Sequence, residues 1–252
     1  LKIGKDHTAN NNMKGYISDA RVVNGTAVYT SAFTPPAAPL TAITNTKLLL
    51  NMADGQAIDS TAQRNLILEG NAQISTGQAK FGDTSLLLDG TNDLGQLDNI
   101  NDLAGPFTIE TWAWADDTTN AFMWSHGEYT LELGITGNTL RMYRVGTATE
   151  YTNFFTGGEF SVDTWHHVAL VRDTSNVIKC YLNGTASGTT VTDATAFAAT
   201  YGSFIIGGEY KSRGQVSHGW DGYIDEFRIS DFARYTSDFT VQSEQFADQG
   251  QV

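Results

Sequence analysis

Few side chains in this sequence are of a type and spacing suited to covalent or acid–base chemistry. Glu128 and Glu132 stand four apart in a strand-like run and so share a face. Hydrolysis of a glycosidic bond needs two carboxyl groups about 5 to 9.5 Å apart across that bond. No third acid accompanies this pair, which we assign to a solvated face. Asp225 and Glu226 are adjacent in a strand and point to opposite faces, which makes no acid/base pair. His166 and His167 follow Trp165, where alternation sends one ring inward and the other outward. No Ser or Cys nucleophile motif accompanies them, and both are read as structural. Cys180, the sole cysteine, lies in the alternating run from Ile178 to Leu182 and reads as a small apolar core residue, not a thiolate. No intrachain disulfide can form, which fits assembly in a reducing cytosol. No catalytic residue is assigned, and the chain is expected not to be an enzyme.

Binding chemistry is better supplied. The apolar face of a sugar ring stacks on an indole or phenol while nearby polar groups bond its hydroxyls. Alternation in Phe107 to Ala115 puts Phe107, Ile109, Thr111 and Ala113 on one face and Glu110, Trp112 and Trp114 on the other. Neighbours on one face stand roughly 6.6 Å apart, about the reach of a sugar ring. The competing surface is made of loop aromatics: Trp124, Tyr151, Phe154, Phe155, Tyr210 and Trp220, with Glu209 and Arg213 beside them. Of these, Trp124, Tyr151, Phe154, Glu209, Tyr210 and Trp220 are taken as the candidate ligand-binding set.

The elements that must carry these residues are strands. The 252 residues favour Thr, Gly, Asn and aromatics, with 17% charged, and apolar positions recur at period two between Gly and Asn. Strands are expected at Thr46 to Met52, Ser85 to Asp89, Phe107 to Ala115, Tyr129 to Ile135, Thr139 to Val145, His166 to Arg172, Val177 to Leu182, Ser203 to Ile206 and Gly222 to Ile229. Gly137-Asn138 and Asn183-Gly184 are suited to tight hairpin turns. The fold class is therefore all-β, an antiparallel β-sandwich. Lys and Arg number 15 against 28 Asp and Glu, a formal charge of −13, which argues against nucleic acid as a partner. No apolar run approaches the roughly 18 residues of a membrane-spanning helix, so no membrane insertion is expected.

The sequence also repeats. Gly15 to Val22 recurs as Gly222 to Ile229, and Tyr29-Thr-Ser-Ala-Phe33-Thr recurs as Tyr235-Thr-Ser-Asp-Phe239-Thr, with one gap and a spacing of about 206 residues. A period of that length implies a tandem array of whole domains. Residues 1–38 read as the C-terminal part of a preceding repeat plus a Pro35-Pro36-Ala-Ala-Pro39 linker, 39–247 as a complete domain and 248–252 as a tail. The opening Leu1-Lys-Ile-Gly4 has no Met and no signal-peptide pattern, and reads as a processed product or a piece of something longer.

Six stretches occur in the order found in laminin-G-like domains: Lys80 to Gly90, Phe107 to Trp112, Trp165 to Arg172, Ile178 to Gly184, Ile206 to Gly208 and Gly222 to Ser230. By this set the chain resembles the concanavalin A-like lectin/glucanase superfamily, and the resemblance implies a jelly roll of two curved antiparallel sheets. The joint, Gly25 to Pro36 followed by Leu40 to Leu50, is similar to tandem modules in virion proteins of marine bacteriophages. Glycan-cleaving members of the superfamily carry a Glu-x-Asp-x-x-Glu strand motif, which this sequence lacks. The resemblance also implies a structural calcium ion, with Asp225 as first candidate ligand; Asp54, Asp59, Asp89 and Asp93 are oxygen donors nearby in sequence, and the alternative is that these carboxylates cap turns, Asp-Gly at Asp54 and Asp89 being ordinary turn chemistry. Ser18 stands at the position of Asp225 in the first copy. The expected function is a non-enzymatic carbohydrate-binding or adhesion module of a phage fibre or surface decoration, exposed on the virion and recognising host-surface glycans. The alternatives are a purely structural virion module, partnered by other virion subunits or its own copies, and a secreted bacterial adhesin.

Overall fold

A computed structural model describes residues 20–38, 40–41, 43–50, 66–98, 103–117, 120–127, 130–145, 151–197, 203–212 and 215–246. The chain divides into two compact units, Leu1–Gln56 and Ala57–Val252. In the first, β1 (Ala20–Val23) pairs antiparallel with β2 (Thr46–Leu50), Arg21 opposite Leu49. The connecting segment carries Tyr29 and Phe33, whose rings stack at 3.7 Å with 7° between planes.

The second unit is built of strands, and no helix occurs among the described residues. In chain order they are β3 (Leu66–Glu69), β4 (Gln73–Ser75), β5 (Ser85–Asp89), β6 (Leu94–Asp98), β7 (Phe107–Ala115), β8 (Ala121–His126), β9 (Leu131–Thr136) and β10 (Thr139–Val145). There follow β11 (Tyr151–Glu159), β12 (His166–Arg172), β13 (Val177–Leu182), β14 (Thr185–Thr192), β15 (Ser203–Ile206), β16 (Glu209–Ser212), β17 (Gln215–Ser217) and β18 (Asp221–Ser230). One seven-stranded sheet runs β11-β10-β9-β8-β15-β6-β3, a second runs β14-β13-β12-β7-β18-β5-β4, and β16 and β17 form a separate hairpin. All pairings are antiparallel. The expected antiparallel sandwich is thus what the chain forms. Asn183 and Gly184 take φ of 53° and 81° in the β13–β14 turn, the paired positive values that a two-residue hairpin with native twist requires.

Alternation puts the core between the two sheets. Ile109 and Ala113 of β7, Val168 and Leu170 of β12, and Leu88 of β5 face Leu131 and Leu133 of β9, Met142 of β10 and Phe204 of β15, all buried. Cys180 is in this core, and burial pushes its thiol far above the ordinary range, as expected of an inert core residue.

Behind the second sheet, the chain after β18 folds back as a strap. Tyr235 and Phe239 stack on each other at 3.5 Å, 7° between planes, and join Ala233 in covering Ala169, Val171 and Tyr181. Beneath the strap lies Glu110, pointing away from the core and fully buried. Its oxygens meet Arg228 Nη2 at 2.8 Å, the Tyr235 hydroxyl at 2.9 Å and His167 Nε2 at 3.3 Å. Burial alone would push the Glu110 carboxyl up, but His167 and Arg228 outweigh it and hold the group below its usual value. Burial, followed by the Glu110 charge, pushes the Tyr235 phenol up to about 12. The face with Glu110, Trp112 and Trp114, open by alternation in the sequence, is therefore largely closed. Trp112 is buried against Phe81, His167 and the Lys80 ammonium, which sits 3.9 Å from the ring centre.

Two outcomes follow. Replacing fully buried Trp124 by Ala should cost about 3–5 kcal/mol in urea unfolding, as large-to-small core changes do. Because folding favours the neutral Tyr235 phenol, its contribution is intact below pH 10 and is lost as pH rises through about 12. Alkaline titration of the unfolding free energy should show that loss. Tyr235→Phe should reduce it, leaving the smaller part due to buried Tyr181, while costing about 1–3 kcal/mol at neutral pH, because Glu110 loses a buried donor.

Candidate binding face on the outer side of the first sheet

With the back of the second sheet occupied, the outer face of the first carries the polar chemistry. Strand register places Tyr143, Glu132, Ser125, Ile205, Gln96 and Ile67 in one row across β10, β9, β8, β15, β6 and β3. Leu131 and Leu133 flank Glu132 and belong to the core, so this row points the other way. Glu132, Ser125 and Gln96 are buried and engaged by neighbours, forming a polar floor; Tyr143 and Ile67 at the two ends are accessible. Glu128 and Glu132 were expected on a solvated face; Glu128 lies outside the described residues. The orientation of Glu132 is outward, but the carboxylate is covered.

An aromatic step borders the floor. The Tyr143 ring packs edge-on against Phe122 at 5.3 Å, and Phe122 against His218 at 5.9 Å. Gly134 makes room for Phe122, since a Cβ there would lie 2.2 Å from the Ala121 carbonyl oxygen and 2.8 Å from Phe122 Cα. His218 has φ of 48°, and its carbonyl accepts the Phe122 amide at 3.0 Å, tying the turn before β18 to the start of β8. Its imidazole, 44% exposed, contacts Glu209 Oε2 through Nδ1 at 2.8 Å, and the Ser217 hydroxyl donates to that same oxygen. The Tyr143 hydroxyl shares a 3.2 Å hydrogen bond with Thr136, which donates to Asn120 Oδ1 at 2.9 Å. Two accessible rings and a rim of hydroxyl, amide and imidazole groups can stack on and hydrogen-bond a polyhydroxylated ligand.

The expected ligand set divides. Trp124 and Trp220 are corrections: both are fully buried in the core, Trp124 stacked on Phe204 at 5.4 Å. Trp220 packs edge-on against Phe160, and its indole N–H donates to the Trp114 carbonyl at 3.0 Å. Glu209 belongs to the face, but as the buried support of His218. Tyr151 pairs with Val145 and Phe155 with Met142 on edge strand β11, which also contains Phe154, and Tyr210 pairs with Val216 in the β16–β17 hairpin; their side chains lie outside the described residues, as does Arg213. Sequence reasoning missed Tyr143, Phe122 and His218. Alternation from Leu140 and Met142 in β10 would have found Tyr143, but the position of His218 depends on the fold.

The calcium expectation meets a different geometry. Asp225 Oδ2 accepts the amides of Lys80 at 2.8 Å and Phe81 at 3.1 Å, and Oδ1 accepts that of Glu226 at 2.8 Å. The donors around it are N–H groups, not the oxygens calcium takes. Asp89 accepts the Thr91 amide and an Asn71 side-chain N–H, the first of these chiefly holding it below the usual carboxylate range. Asp93 accepts the amides of Asn71 and Asp89. Asp54 and Asp59 lie outside the described residues. Among the described residues no three His, Cys, Asp or Glu side chains are arranged to hold a metal ion.

The match to known families runs through this unit. A laminin G family model, described as the concanavalin A-like lectin/glucanases superfamily, matches residues 89–238. The chain belongs to the concanavalin A-like lectin/glucanases superfamily. Among solved structures with this fold, domain 4 of AbnA, a GH43 extracellular arabinanase from Geobacillus stearothermophilus in complex with arabinotriose, has a TM-score of 0.54 at 16% identity. That likeness covers 71% of this chain and 88% of that one. The botulinum neurotoxin serotype C1 binding domain has 0.51 at 13%, covering 68% of this chain and 45% of that one. The binding domain of Paraclostridial Mosquitocidal Protein 1 has 0.50 at 15%, covering 69% and 45%. The superfamily fold is what these share with the present chain, which spans less than half of either toxin domain. No curated protein matches the sequence.

If Asp225 serves as a triple amide acceptor, Asp225→Asn should destabilise the chain by about 1–3 kcal/mol, because the new amide meets N–H donors. Thermal unfolding with calcium and with EDTA should show the same loss in both.

Proposed function

We propose that the chain is a non-enzymatic carbohydrate-binding module, displayed on the outside of a bacteriophage particle as part of a fibre or surface decoration and used for adhesion to host-surface glycans. The observation that carries the reading is the outer face of the first sheet, where Tyr143 and His218 stand accessible at the border of a registered polar row. The superfamily includes lectins by description, and one structure of the same fold is a domain in complex with arabinotriose. The phage setting is supported by the likeness of the joint sequence to virion modules and by a fold that uses no disulfide.

A glycan-array screen of the purified chain, run with calcium and with EDTA, tests the reading. Binding to a restricted set of glycans is expected, with Tyr143→Ala weakening it about tenfold, or 1.4 kcal/mol, at an unchanged melting temperature. Silence in both conditions from folded protein would overturn it, as would release of reducing ends from a bound polysaccharide.

A further inference from the structure

The two copies of the Tyr-Thr-Ser-x-Phe-Thr segment have the same local geometry and different surroundings. In Ala57–Val252 the Tyr235–Phe239 stack is the underside of the strap. Phe239 packs on His167 at 5.7 Å and on Tyr181 at 5.4 Å, and its amide donates to the Gly184 carbonyl at 2.9 Å. In Leu1–Gln56 the Tyr29–Phe33 stack has the same 7° between planes, yet Tyr29 is 46% and Phe33 52% exposed, and Val22 and Val28 of the same unit are exposed as well. An isolated pair of stacked rings on a short irregular segment gains little from its own contact, so a ring pair arranged this way is shaped for a surface it covers.

The sequence says which surface. Residues 28–34 and 234–240 differ at two positions, Val28 for Arg234 and Ala32 for Asp238. Both rings that touch the sheet are retained. Arg21 stands where Arg228 stands in the second copy, and Arg228 holds the buried Glu110. The two changed side chains are peripheral in the complete unit: Arg234 Nε lies 3.6 Å from Glu110, and Asp238 accepts the Ala186 amide at the hairpin edge.

We infer that residues 20–38 are a closing strap of the kind that the segment after β18 forms, made for the sheet face of a laminin-G-like module that its own strap does not already cover. They dock through Tyr29 and Phe33 on an outer sheet face of the kind formed here by Ala169, Val171 and Tyr181. The partner offers a small-residue and tyrosine surface for the rings and a buried carboxylate, the counterpart of Glu110, for Arg21 and the Tyr29 hydroxyl.

The test converts the resident strap into the other sequence. Arg234→Val with Asp238→Ala, made in the full chain, gives residues 234–240 the sequence of 28–34. The expected result is a strap that stays seated: protease cleavage within 231–246 remains slow, and the melting temperature falls less than in Tyr235→Ala with Phe239→Ala. A second measurement adds a synthetic peptide of residues 20–38 to that weakened double-alanine chain; a saturable rise in melting temperature is expected, and none from a peptide with Tyr29→Ala and Phe33→Ala. A converted strap cleaved as fast as the double-alanine strap would overturn the inference. So would a peptide without effect where a peptide of residues 231–246 restores stability.

Discussion

A carboxylate with no exposure, set in the middle of a sheet and facing away from the core, is the constraint on which the larger unit is arranged. Glu110 cannot stay charged there without donors, since an unpaired buried charge costs several kcal/mol. Arg228 comes from the neighbouring strand, Tyr235 from the strap and His167 from β12. For Arg228 to reach it, β18 shifts register between Asp225 and Arg228, with Glu226 at a φ of 51° inside the bulge. That same bulge aims Asp225 at the Lys80 and Phe81 amides. One buried charge thus fixes the strap, the irregularity in β18 and the turn before β5.

The strap in turn leaves the two sheets with different outer faces. By covering Ala169, Val171 and Tyr181 it occupies the back of the second sheet, while the outer side of the first carries a buried polar row between β9 and β6 with Tyr143 and His218 accessible at its border. His218 reaches that face from the turn that precedes β18. The last strand therefore closes one face while the turn leading into it completes the other.

The strands were legible where alternation was strong. Ser85–Asp89, Phe107–Ala115, Thr139–Val145, His166–Arg172, Val177–Leu182 and Ser203–Ile206 stand as the period-two pattern placed them. β14, with the sequence TASGTTVT, carries almost no apolar alternation, and β16 and β17 are too short to show a period. The repeat of Tyr29 and Phe33 in Tyr235 and Phe239 was legible, and each pair is stacked. The candidate face was not. Alternation separates two sides of a strand without saying which side a distant segment will cover, so Trp112 looked available and Trp124 looked like a loop residue. Residues as far along the chain as His218 and Tyr235 settle those assignments.

That distance has a kinetic side. The partners of Glu110 on β18 and the strap lie 118 and 125 residues after it. A polypeptide made from its N-terminus reaches them only near the end of the domain, and contacts of such separation close slowly. Until then the Glu110 carboxylate of β7 can meet only His167 of β12, which disfavours early closure of that side. The domain is built to lock late, once its own last strand has emerged.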